Sequence, residues 1–250
     1  MATPMSCEEI RECAQRIDVS ISNIFAQIGV LSDEITHLWQ RCNDAGRVMT
    51  STELASLKPL IESSLSKAGS CLQGTGVVLQ PGVLQDKEMY LEWRQLGAGG
   101  RVMPLSLNFN RGSESFYDYS DMLWFSRPRN SGRSTVVGPY VDLYGQDMYI
   151  LTFSMPILVN GQFIGVAAAD VALNKFERVV TSSLMRMSHE ALILSSEGRV
   201  VATNTANWTA GEMASLGLSR IDSDCQYMPL AEQSAHWTLA RLPERRRRAA

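Results

Sequence analysis

Two aspartates and four aromatic residues carry the chemistry most worth reading in this chain: Asp142 and Asp170, with Tyr117, Trp124, Phe125 and Tyr140. Carboxylates accept the hydrogen bonds and charge of an ammonium group, and aromatic ring faces add cation–π attraction, so this mixture makes a receptor for a small amine. Asp170 closes the apolar run Phe163-Ile164-Gly165-Val166-Ala167-Ala168-Ala169. A carboxylate buried on such a strand without a partner costs several kcal/mol. A cation is therefore expected against it, supplied by a side chain or by a ligand. Gly165 and the three alanines leave room above the strand. The competing reading makes Tyr and Trp core residues and Asp142 a turn cap.

Catalysis finds less support. Asp142 and Asp170 have the residue types of an acid/base pair, but no third group stands near them in sequence to polarise a substrate. His37, His189 and His236 are scattered and lack metal-ligand spacing, so each reads as a surface or core histidine. The chain shows no nucleophile elbow, zinc motif or phosphate-binding loop. Gly97 to Gly100 lacks the lysine and the strand-to-helix setting of a phosphate cradle. No catalytic residue, metal ligand or cofactor is expected.

The elements that must position these groups follow from patterning. Tyr149 to Pro156 and Phe163 to Asp170 are β-rich runs joined through Asn160-Gly161, a strong type I′ hairpin signal. Residues 6–40 read as a helix capped by Ser6. Ile10, Ala14, Ile17, Ile21, Ile24, Ile28, Leu31, Ile35 and Leu38 recur at alternating spacings of 4 and 3, a heptad seam. Such a seam serves a helix lying on its own domain or, as the sharper expectation, one pairing with its copy in a homodimer. A second helix is expected over Thr52 to Ala68, with a Thr50/Glu53 capping box and an interruption at Pro59. The spacing predicts a strand at Val77 to Leu79, a helix at Glu88 to Leu96 and a strand at Leu105 to Asn108. A helix from Leu173 to Met187 comes next, followed by a hairpin at 191–194 and 199–203. A helix or loop near 211–216 and a strand at 236–240 close the pattern. Hairpins flanked by helices make an α+β fold with antiparallel sheet.

Composition sets outer bounds. The chain has 250 residues, 45% hydrophobic and 20% charged, with a net charge of -3, so a nucleic-acid surface spread over the fold is not expected. The run Arg245 to Arg248 stands apart as a basic, solvated tail. Five unpaired-looking cysteines favour free thiols in a reducing compartment. Without a secretory pattern near Met1 or an apolar run of membrane-spanning length, a cytoplasmic protein with no transmembrane segment is expected.

The run Tyr117-x6-Trp124-Phe125, Gly138-Pro139-Tyr140-Val141-Asp142, Thr152-x3-Pro156, Asn160-Gly161-x-Phe163-Ile164-Gly165-Val166 and Ala169-Asp170-Val171 resembles the Cache family of PDC-type, PAS-like ligand-sensing domains. The likeness is to the double-Cache class, whose first module binds the ligand. It implies a long N-terminal helix followed by PAS-like antiparallel modules flanked by helices. The corresponding divisions are 1–72 for the helical region, 73–187 for the ligand-binding module, 188–242 for a reduced second module and 243–250 for the tail. The family's amino-acid pattern, carried over by position, makes Asp142 and Asp170 the acids that hold an amino group and Tyr117, Trp124 and Phe125 its aromatic wall. Met122 stands where the pattern has the arginine that pairs with a ligand carboxylate. The resemblance therefore implies an amine, or an amino acid if Arg127 or Arg129 supplies the missing cation. It also implies signalling through an unidentified partner protein, with closure of the 110–135 segment on the ligand. Two rivals stand beside this: an enzyme acting on small amines, and a ligand-free dimeric interaction module.

Overall fold

The computed structural model describes residues 4–143, 147–214, 225–231 and 234–243. The basic run Arg245 to Arg248 lies outside the described residues. The described chain forms two compact units. The larger holds residues 24–137 and 141–172, and the smaller holds 1–23, 138–140 and 173–250. The sequence divisions at 72 and 187 are not the boundaries of these units. The seam of the first helix runs its whole length, so its two parts join different cores.

That helix, α1 (Pro4–Asp44), is formed two residues before the expected cap at Ser6 and extends past residue 40. All nine seam residues from Ile10 to Leu38 are buried within the single chain. The seam is covered within the chain, as the plainer reading of a helix lying on its own protein expects.

The larger unit is built on a six-stranded sheet in the order β3-β2-β1-β6-β5-β4. Its strands are β1 (Leu72–Leu79), β2 (Leu91–Leu96), β3 (Val102–Pro104), β4 (Thr135–Asp142), β5 (Met148–Val159) and β6 (Gln162–Ala172). Their described registers are antiparallel. Central β1 is buried at every residue, as a strand covered on both faces should be. The β5–β6 hairpin turns at Asn160 and Gly161, with φ of 51° and 80°, and Val159 faces Gln162 across it. Both turn residues thus have the positive φ that the two-residue turn demands.

Two expectations fail here. Glu88 to Leu96 contains strand β2, not a helix, because pairing to β1 decides its conformation. Gly76 lets the strands close up there, since a Cβ at Gly76 would lie 2.1 Å from the Glu92 carbonyl oxygen. The strand expected at Leu105 to Asn108 falls earlier, at Val102–Pro104. Leu105 N–H makes a last bond to the Trp93 carbonyl, 3.2 Å, before the chain leaves the sheet.

The second helix is interrupted as expected, over residues 55–57, just ahead of Pro59. It comprises α2 (Ser51–Leu54), a 3-10 turn and α3 (Lys58–Ser66), with Pro59 in the first turn of α3, where its missing N–H costs nothing. The Thr50/Glu53 capping box is present. A short helix, α4 (Leu123–Ser131), precedes β4.

In the smaller unit, α5 (Leu173–Leu184) packs with a four-stranded sheet in the order β8-β7-β10-β9. Its strands are β7 (Ala191–Leu194), β8 (Val200–Thr203), β9 (Gln226–Pro229) and β10 (Thr238–Arg241). The helix stops at Leu184, three residues short of the expected Met187. The observed architecture is α+β, with a long N-terminal helix, antiparallel sheets and flanking helices. No helix among the described residues is long and apolar enough to cross a membrane.

Candidate functional site

The candidate site lies in the larger unit, on the sheet face that carries Val166, Ala168 and Asp170. Alternation along β6 puts these three side chains on one side. Val78, Met89, Trp93, Tyr119, Phe125, Val166 and Ala168 form a buried cluster there, with Phe109, Phe116, Tyr117, Trp124 and Phe163 packed against it. Asp170 follows two residues after Ala168, at the edge of this aromatic layer.

Asp170 stands opposite Thr152 on β5 and Gly74 on β1. Its Oδ1 accepts a hydrogen bond of 2.7 Å from the Thr152 hydroxyl. Burial pushes its pKa up to about 7; the Thr152 bond pulls it down, and the Asp142 carboxylate nearby raises it further. No cationic side chain among the described residues pairs with it. The residue nevertheless keeps some accessible surface.

The predicted residues divide by position. Asp142 is half-buried at the end of β4 and near enough to Asp170 for their charges to interact. Tyr117 and Trp124 are half-buried on the aromatic layer. Phe125 is 0% exposed, its ring edge-on to Trp124 at 6.0 Å and to Phe163 at 5.5 Å. It therefore supports the layer from within and presents no surface of its own. Met122 is the residue before α4 and is 36% exposed, its carbonyl accepting the N–H groups of Phe125 and Ser126. Tyr140 is half-buried on β4, within the short segment 138–140 that groups with the smaller unit. The guanidinium of Arg129 lies 5.9 Å from the centre of the Phe125 ring.

Sequence reasoning passed over two residues. Tyr119 is completely buried at the middle of the layer, where its hydroxyl donates to the Leu79 carbonyl at 2.8 Å and accepts the Tyr90 N–H at 3.2 Å. Its spacing of two from Tyr117 was the available signal. Trp93, on β2, was hidden inside a segment read as helix. Ser154, also on β5, donates to the Trp124 carbonyl at 2.6 Å and so ties α4 to the sheet.

Comparison with known proteins bears on the fold. Residues 57–178 match the family model for the first PDC sensor domain of methyl-accepting chemotaxis protein-like receptors. The chain is 25% identical over 85 residues to the methyl-accepting chemotaxis protein PscA of Pseudomonas syringae pv. tomato, a stretch covering 34% of this chain and 13% of that protein. Among solved structures, the fold is similar to the ligand-binding domain of the Pseudomonas aeruginosa amino acid chemoreceptor PctB in complex with L-Arg. That likeness has a TM-score of 0.61 and 14% identity and covers 93% of this chain and 91% of that one. It is similar too to the ligand-binding domain of the Pseudomonas fluorescens chemoreceptor CtaA in complex with L-valine, with a TM-score of 0.61 and 16% identity over 95% of each chain. The match over residues 57–178 and the shared fold together make the chain similar to Cache-type PDC sensor domains of the methyl-accepting chemotaxis protein-like kind.

Proposed function

We propose that this sensor domain binds a small amine or amino acid through its ammonium group and passes the binding event to a partner protein without turning the ligand over. One observation carries the reading. Asp170 is an enclosed carboxylate whose neighbours are a hydroxyl and a second carboxylate, with no cationic side chain paired to it among the described residues. A bound ammonium supplies the missing charge and accounts for the cost of holding two acids together. Trp124 and Tyr117 flank it as ring faces. That the sensor domains of PctB and CtaA were solved with L-Arg and L-valine supports a ligand of this chemistry. Met122 makes a carboxylate anchor at that position impossible, which favours amines over α-amino acids.

The accompanying parts of the reading have separate supports. Thiols outside any disulfide at Cys13 and Cys42 fit a reducing compartment such as the cytoplasm. A homodimer formed through α1 would use its solvent-facing side, where Ala26 and Val30 are exposed, because the apolar seam is interior. The four-stranded sheet of the smaller unit fits a reduced second module. Screening primary amines and amino acids by thermal shift, then by calorimetry, tests the ligand. Binding that survives Asp170→Ala would refute the ammonium reading.

A further inference from the structure

The aromatic layer contains a buried polar group without a partner among the described residues. Trp93 is 6% exposed, and its indole Nε1 is buried without an acceptor among the described residues. A buried donor left unpaired is costly, and such groups in native proteins have a reason to persist. Its location is fixed by Gly74. A Cβ on Gly74 would lie 2.8 Å from Nε1, so the indole ring occupies the space that any other residue would fill. Gly74 is also the β1 partner of Asp170. Side chains at paired positions of an antiparallel ladder start roughly 5 Å apart. The unpaired indole N–H therefore sits over the position next to Asp170, whose carboxylate has no cationic partner among the described residues, on the same sheet face.

We propose that Trp93 Nε1–H is a ligand-specificity donor, and that the ligand is an amine carrying a neutral hydrogen-bond acceptor such as a hydroxyl or amide oxygen. The inference rests on the ammonium reading of Asp170 and deepens it. A small molecule that places its ammonium on Asp170 and an oxygen a few bonds away satisfies both groups at once. The neutral acceptor follows from charge. Asp142 and Asp170 already place two acids beside the ligand, and an indole donates a hydrogen bond without supplying positive charge. With the uncharged Met122 at the anchor position, a ligand carboxylate would add a third anion.

The test uses the full chain, 2-aminoethanol and n-propylamine as a matched pair with and without the oxygen, and glycine and acetamide as controls. Calorimetry is expected to show 2-aminoethanol binding about tenfold more tightly than n-propylamine, the worth of one buried neutral hydrogen bond. Trp93→Phe keeps a ring and removes the N–H. It should erase that preference and leave n-propylamine affinity within about threefold of the unmodified chain. The indole 1H–15N resonance of Trp93 in the unmodified chain needs no variant to fold, and should move with 2-aminoethanol and not with n-propylamine. A preference that persists in Trp93→Phe, or an indole resonance unmoved at saturation, overturns the inference and leaves the ammonium reading intact. Tighter binding of glycine than of 2-aminoethanol overturns the neutral-acceptor assignment. If no amine binds but acetamide moves the indole resonance, the ammonium reading falls and the donor role stands. If acetamide also leaves it unmoved, both fall.

Discussion

The Thr152 hydroxyl donates to the Asp170 carboxylate across the β5–β6 hairpin at 2.7 Å, and it is the one side-chain hydrogen bond that lowers the pKa of that acid. The Asn160-Gly161 turn lies eight residues beyond Thr152 at the far end of the hairpin, and a one-residue register shift between Ile157 and Leu158 brings Thr152, in place of Leu151, opposite Asp170. Removing the hydroxyl should make the acid still harder to ionise. Thr152→Val is expected to raise the Asp170 pKa above 7 and to weaken amine binding at neutral pH by about tenfold, with the overall fold retained. Carbon-detected NMR titration of the Asp170 carboxyl reads the first effect and calorimetry the second.

Asp170 should make the ligand-free chain less stable as pH rises. Its carboxyl has an ordinary value of 3.8 and is held at about 7 in the fold. Between these values the unfolded chain has released the proton and the folded chain still binds it, so stability falls as pH climbs from about 4 to 7 and then levels off. Asp170→Asn removes the titration. It is expected to flatten that slope and to stabilise the chain at pH 8 by roughly 1–3 kcal/mol. Denaturant unfolding at half-unit pH steps checks this, and an unchanged slope would show that Asp170 is ionised in the free protein.

The same proton couples to the ligand. An ammonium group requires the ionised carboxylate, so amine affinity should weaken by about tenfold for each pH unit below 7. Titration calorimetry in two buffers of different ionisation heat should show proton release on binding at pH 6 and little at pH 8.

The seam of α1 belongs to the interior of one chain. Ile17→Ala or Ile28→Ala should therefore cost about 2–5 kcal/mol, the usual loss for emptying a buried isoleucine position. The loss should not depend on protein concentration. A melting temperature that rises with concentration, or a shift in oligomer size on light scattering, would return the seam to an intermolecular role.

How much of this was legible depended on whether the deciding contacts were local. The Asn160-Gly161 hairpin, the Thr50/Glu53 cap, the break just ahead of Pro59 and the helix beginning at Leu173 are set by neighbours in sequence, and patterning reads them. Strand β2 is set by β1, and Gly76 against the Glu92 carbonyl is a long-range fit that no local pattern reveals. The seam was visible as periodicity, but periodicity shows only that a face is covered and not what covers it. In the site, acids and exposed-looking aromatics were found by chemical type. Phe125 was placed in the wall of the site, yet it is wholly interior. Trp93 and Tyr119 were missed because their importance comes from strand pairing.

Calorimetric titration of the unmodified chain and of Asp170→Asn with a panel of primary amines and amino acids, each matched to an analogue lacking the amino group, bears most directly on the central claim. At least one amine should bind the unmodified chain, its amine-free analogue should not, and Asp170→Asn should lose about a hundredfold or more in affinity while remaining folded. Equal binding of an amine and its amine-free analogue, or undiminished binding by Asp170→Asn, would contradict recognition through the ammonium group.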